Sequence, residues 1–188
     1  GDMTNMETMF ALKEFFEKTI RSENLDSRVD NLYVNTSDRE NYLLNSSIEG
    51  IEDSDLIILI GANPRFEATM LNSRIRKAYL NNHTDIFCLG DIGDLNYPYE
   101  VLDNSTKTIK DIVNHTHRIS EKIHNSKKPI FLIGQSALKL KSSPFLFEEL
   151  KKYLIKNNKI NDNWNALNIL SNDASTVGSN YLNIISSN

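Results

Sequence analysis

The chain has 188 residues, 21 Lys and Arg against 25 Asp and Glu, a formal net charge of -4 and 39% hydrophobic residues. That is enough for a domain with its own core, and the interspersed charges lack the concentrated basic face that a nucleic-acid partner requires. One cysteine, Cys88, excludes an intrachain disulfide, points to a reducing compartment, and leaves the chain short of the thiolates that an iron–sulfur cluster or structural zinc site needs.

No stretch approaches the roughly 20 apolar residues of a membrane span, and the polar, acidic amino terminus does not read as a secretory signal. A soluble chain without direct membrane insertion is expected. Residues 4–20 read as an amphipathic helix capped by Thr4 or Asn5, with Met9, Leu12, Phe15, Phe16 and Ile20 as its buried stripe. Residues 22–31 are polar and turn-like, Leu32-Tyr33-Val34 suits a short strand, and residues 41–51 form a loop or short helix.

The run Leu56 to Ile60, five apolar residues between Asp55 and Gly61, fits a strand covered on both faces. Gly61 permits a sharp turn, Asn63 suits a helix cap and Pro64 the first helical position. Leu71, Ile75, Ala78 and Tyr79 then make one apolar stripe, with Arg74, Arg76 and Lys77 near the carboxyl end of that helix. Residues 85–89 give a second strand ending at Gly90, followed by a loop holding Tyr97-Pro98-Tyr99. Helical spacing returns over 105–123.

Pro129 to Ile133 is a third strand ending at Gly134, and Ser143 caps a helix with Pro144 at its first position and apolar residues that include Leu146, Leu150 and Leu154. Residues 166–170 complete a set of four strands. Strands alternating with helices predict an α/β fold: a three-layer αβα, Rossmann-like domain with a mainly parallel sheet and right-handed crossovers. Ligands in such folds sit beyond the carboxyl ends of the strands, here near Gly61, Gly90 and Gly134.

The strand–turn–helix corner offers free N–H groups, so an anion such as a phosphate could bind at Ala62 to Arg65; most such corners bind nothing, and Arg65 and Glu67 could simply pair with neighbours. The single glycine falls short of G-x-G-x-x-G, so a nicotinamide or flavin dinucleotide is not indicated. His115, His117 and His124 suggest a metal, but side chains two apart on a helix diverge by about 200°, and no metal is expected there. Ser136 lacks the second glycine of a nucleophile elbow and reads as a helix cap. Glu49, Glu52, Asp53 and Asp55 read as a solvated entry to a strand, and Tyr97 and Tyr99 as packing residues or a docking surface. No catalytic set emerges.

Taken together, residues 41–50, the core Ile60-Gly61-x-Asn63-Pro64-Arg65-Phe66-Glu67-Ala68 and Leu71-Asn72-x-Arg74-Ile75-Arg76-Lys77 resemble the large iron–sulfur subunit of respiratory NADH:quinone oxidoreductase, complex I, in its bacterial and mitochondrial forms. Further matches follow in order at Asp94-Leu95-x-Tyr97-x-Tyr99, Lys127-Lys128-Pro129, Gly134-x-Ser136-Ala137-Leu138 and Trp164 to Leu170, so the resemblance runs from about residue 1 to residue 178. Thr69 stands where that family commonly has proline, and Asp103 where it has glycine.

The resemblance implies the part of that large subunit similar to molybdopterin oxidoreductases, with a Rossmann-like domain over 48–178, a helix and connecting segment over 1–47 that could belong to a neighbouring lobe, and a tail over 179–188. It implies a fragment that is a non-catalytic scaffold, with Gly61, Asn63 and Arg65 a vestigial pterin site, no cofactor or metal of its own, and iron–sulfur clusters upstream. Partners would be other subunits of the hydrophilic arm, on the cytoplasmic side of a bacterial inner membrane or the mitochondrial matrix side. Two alternatives stay open: a domain that still binds a nucleotide or pterin at the turn, and, from the strand–glycine pattern at 128–134, the central domain of a thiamine-dependent enzyme.

Overall fold

The computed structural model describes residues 3–28 and 32–186. Five strands, β1 (Leu56–Ile60), β2 (Asp85–Leu89), β3 (Glu100–Asp103), β4 (Pro129–Ile133) and β7 (Leu167–Ile169), form a fully parallel sheet in the order β3-β2-β1-β4-β7. A separate two-stranded hairpin pairs β5 (Ile160–Asn161) with β6 (Trp164–Asn165). The three-layer α/β expectation therefore holds, with one strand more than the sequence patterning gave.

Alternation along β1 sends successive side chains to opposite faces and builds two cores. Leu56, Ile58 and Ile60 join Phe131, Ile133 and the helices α4 (Lys107–Val113), α5 (Ser120–Asn125) and α7 (Ser143–Lys156) on one face. Ile57 and Leu59 join Ile86, Cys88, Leu132 and α3 (Thr69–Asn82) on the other. Cys88 is fully buried and burial pushes its thiol up to about 12, the behaviour of a small core hydrophobe.

Several expected elements differ. The first helix, α1 (Met6–Glu14), is capped by the Asn5 side chain, which accepts the N–H of Thr8 at 3.0 Å, and continues as a π-helical stretch over Phe15–Ile20. Of its predicted stripe only Met9 is buried; Leu12, Phe15 and Ile20 are each about half exposed. The helix lies on α8 (Thr176–Tyr181), an element that straddles the boundary expected at residue 178 and that the sequence patterning did not give, and Lys13 Nζ donates to the Leu182 carbonyl at 2.8 Å. Leu32-Tyr33-Val34 is not a strand, although Tyr33 N–H donates to the Leu138 carbonyl. Within the polar stretch 22–31, residues 29–31 lie outside the described residues, as do the first two residues of the chain and the last two of the tail.

The helix expected to begin at Pro64 is two: α2 (Pro64–Glu67) and α3, separated by Ala68 at φ -153°, ψ 71°. The helix expected over 105–123 is also two, because His115 takes a left-handed conformation between α4 and α5. Ser143 is the first residue of α7 and not its cap, which is Ser142. At the far edge of the sheet, residues 43–46 cover β7. Asn168, fully buried, accepts from Ser46 N–H at 2.8 Å and from its hydroxyl at 3.0 Å, and Ile169 N–H donates to the Leu43 carbonyl.

Candidate functional site

The strand order reverses between β1 and β4, which makes the space beyond their carboxyl ends the switch point where ligands enter folds of this kind. Gly61 follows β1 and Gly134 follows β4, and the two turns are pressed together. A Cβ on Gly134 would come within 2.3 Å of the Gly61 carbonyl oxygen, and one on Gly61, at φ +57°, within 2.6 Å of Ala137 nitrogen. Ser136, inside the short helix α6 (Gln135–Leu138), donates its hydroxyl to the Gly61 carbonyl. It is thus a clasp between the two turns and not the helix cap expected of it; Gly134 holds that position.

The start of α2 is closed from within. Asn63 Oδ1 accepts the Arg65 N–H at 3.2 Å, the Asn63 carbonyl accepts the N–H groups of Phe66 and Glu67, and Glu67 Oε1 reaches back to the Asn63 N–H at 3.0 Å. The N–H groups of Asn63, Arg65, Phe66 and Glu67 are therefore taken, that of Asn63 by a carboxylate of the same helix. A four-residue helix also adds little dipole. Glu67 Oε2 is buried without a partner among the described residues.

Asn63 and Arg65 turn outward to a neighbouring loop. Asn63 Nδ2 donates to the Ile92 carbonyl at 3.0 Å, and Arg65 Nη1 donates to both the carbonyl and a carboxylate oxygen of Asp94 at 2.7 Å. Farther along α3, Asn72 donates to the Leu95 carbonyl and accepts from the buried Tyr97 hydroxyl at 2.7 Å. Tyr99 donates to Asp91 and to the Gly93 carbonyl. Hydrogen bonds from Gly93 N–H and then Tyr99 hold the Asp91 carboxyl below its ordinary range, and those from Asn96 N–H and then Arg65 do the same for Asp94. Residues 91–99 are thus a loop lashed to α2 and α3 by the very side chains that marked the corner. Sequence patterning missed that role because none of the partners is near along the chain.

A cavity of about 150 Å³ remains on the β2 side of the turn, lined by Gly61, Gly90, Asn104, Ser105 and Ser136. It is smaller than the roughly 300–1,000 Å³ of most small-molecule sites.

The other candidates disperse. Glu52 pairs with Arg74 and Lys77, and Asp53 with Lys128, whose ammonium also lies 5.4 Å from the Trp164 ring centre. Asp55 accepts from Ser126 and from the N–H groups of Lys127 and Lys128. His115 and His117 lie in the loop between α4 and α5, so divergence on a helix is not what separates them; with His124 they border one open depression. Among the described residues no group of three His, Cys, Asp or Glu could hold a metal ion.

The whole chain, residues 1–188, matches the family described as molybdopterin oxidoreductase. It is 35% identical to the NADH-ubiquinone oxidoreductase 75 kDa subunit of Reclinomonas americana, over 98% of this chain and 28% of that protein. It is 34% identical to the NADH-ubiquinone oxidoreductase 78 kDa subunit of Candida albicans, over 94% of this chain and 25% of that one. With an NADH-quinone oxidoreductase subunit of Rickettsia bellii it shares 32% identity, over 95% of this chain and 26% of the relative. The chain thus spans about a quarter of the length of these relatives.

Proposed function

We propose, from the premise that this chain belongs to the molybdopterin oxidoreductase family, that it serves as a non-catalytic scaffold within the large iron–sulfur subunit of an NADH:quinone oxidoreductase. The likeness to three complex I subunits across nearly the whole chain supports the assembly. The closed corner supports the scaffold role. A molybdopterin group does not fit there: the β1 and β4 turns touch, the α2 donors are satisfied internally, and the space left is about 150 Å³. Gly61, Asn63 and Arg65 are in this reading a remnant cradle, put to use in tying two loops together.

The iron–sulfur clusters belong, in the same reading, to parts of the parent protein that this chain does not span; one further relative, from Solanum tuberosum, is called an iron-sulfur protein. The partners are other subunits of the hydrophilic arm, on the cytoplasmic or matrix side of the membrane, and no helix among the described residues is long and apolar enough to cross it. Transfer of electrons from NADH to quinone is the work of the whole assembly. The thiamine-dependent alternative draws no support from a family match that covers the entire chain.

The test is to express the protein in a host that makes the molybdenum cofactor, then measure bound molybdenum by mass spectrometry and pterin by fluorescence after acid oxidation. Neither should exceed background, and GDP should leave the melting temperature unchanged. Stoichiometric molybdenum or pterin would sink the scaffold reading, and a GDP-induced shift lost in Arg65→Ala would replace it with a nucleotide site at the turn.

A further inference from the structure

The outward face of α3 serves neither the core nor the corner. The helix seats Leu71, Ile75 and Ala78 inward, and on its other side Thr69, Met70, Ser73, Arg76, Lys77 and Leu80, all exposed, fall within an arc of roughly 120° at about 3.6 residues per turn. Met70 is 68% exposed and Leu80 57%, and Phe66, near the adjoining end of α2, is 79% exposed. A single apolar residue on a surface needs no explanation. Three large ones within residues 66–80, interleaved with cations, have the aromatic, Met and Arg composition in which protein interfaces are enriched.

The charge of this face is one-sided. α3 carries Arg74, Arg76 and Lys77 and no Asp or Glu, in a chain whose net charge is -4. Among the described residues the carboxylate paired with these cations is that of Glu52, which serves both Arg74 and Lys77. Arg76 makes no ion pair among the described residues. An apolar ridge with uncompensated positive charge is complementary to apolar side chains flanked by carboxylates.

Other occupants fit less well. Two outward cations fall short of the cluster of about four to eight that holds a segment to an anionic membrane. Three apolar side chains supply at most several hundred Å², below the roughly 800 Å² that each partner of a standard interface buries, so the face is sized for one helix and not for a second copy of the chain. We propose that the outward face of α3, with Phe66, docks an acidic amphipathic helix of a partner protein, its apolar side chains on Phe66, Met70 and Leu80 and its carboxylates on Arg76 and Lys77. This surface is distinct from the closed corner and does not depend on which assembly carries it.

The 188-residue protein is titrated by calorimetry with a stapled helical peptide of about 14 residues, leucines at helical spacing on one face and glutamates on the other, and with its lysine counterpart. The glutamate peptide should bind with a Kd of about 100 μM or tighter, and the lysine peptide at least tenfold more weakly. Arg76→Glu and Met70→Glu should each weaken the glutamate peptide about tenfold or more while leaving the urea midpoint unchanged, because both side chains are already in water. No binding of the glutamate peptide at about 1 mM, equal binding of the two peptides, or binding indifferent to both variants would overturn the proposal. So would co-sedimentation with phosphatidylserine vesicles in place of peptide binding, or self-association of the chain that Met70→Glu abolishes.

Discussion

Gly134 shows how a single atom governs the switch point. Its φ is ordinary, so nothing in the backbone forbids alanine; the obstacle is the Gly61 carbonyl, 2.3 Å from where the Cβ would stand. That neighbour is backbone and cannot rotate away. Gly134→Ala should therefore cost about 3 kcal/mol or more in urea unfolding, at the upper end of overpacking, and a cost below about 0.5 kcal/mol would mean the turns are not in contact. Asp91 and Asp94 make a second prediction. Both carboxyls are depressed in the folded chain, so the stability they confer is present above the unfolded value near 3.9 and is lost as pH falls through their lower folded values. Hydrogen exchange in 91–99 should accelerate below about pH 4 before the sheet opens, whereas uniform exposure of loop and sheet would count against the lashing. The sequence marked Gly61, Asn63, Pro64 and Arg65 as a capped turn because capping is local chemistry. It could not give Ile92 or Asp94 as their partners, which are 29 residues away in the chain.

At the scale of elements, agreement follows burial. β1, β2 and β4 are continuous apolar runs, and a strand covered on both faces carries its own signature in the sequence. β3 escaped because it is a short edge strand, Glu100-Val101-Leu102-Asp103, with three of four residues exposed and charges at both ends. The break before α3 was hidden for the opposite reason: the apolar spacing runs straight through it. Thr69 is the first residue of α3, the position where proline is at home, so the break falls where the resembled family carries one. The α1 stripe was legible as a helix but not as a surface. Leu12→Ser and Phe15→Ser should change stability by less than about 0.5 kcal/mol, because both side chains are already half in water. Leu150→Ala, in the closed core beneath α7, should cost roughly 2–5 kcal/mol. Thermal or urea melts of the three variants decide it; a large loss at Leu12 or Phe15 would show that α1 packs with its apolar side inward.

For the whole molecule, β1 is shared by both cores, with Ile58 on one face and Ile57 on the other. Loss of either side should loosen the same sheet. Ile57→Ala and Ile58→Ala should each lower a single cooperative transition by roughly 2–5 kcal/mol, followed by tryptophan fluorescence and circular dichroism together; two separate transitions would indicate faces that unfold independently. The order β3-β2-β1-β4-β7 was not readable from the chain, since strand patterning records burial and not neighbours. Composition, periodicity and capping by themselves determined a parallel α/β domain, its central strands and the turn at Gly61, because these depend on residues adjacent along the backbone. Only the tertiary structure decided that the two switch-point turns meet, that the corner's polar groups serve a distant loop, and that the first helix lies on α8 near the other end of the chain. Each of those is a contact between segments far apart in the chain, fixed by how the layers close upon one another.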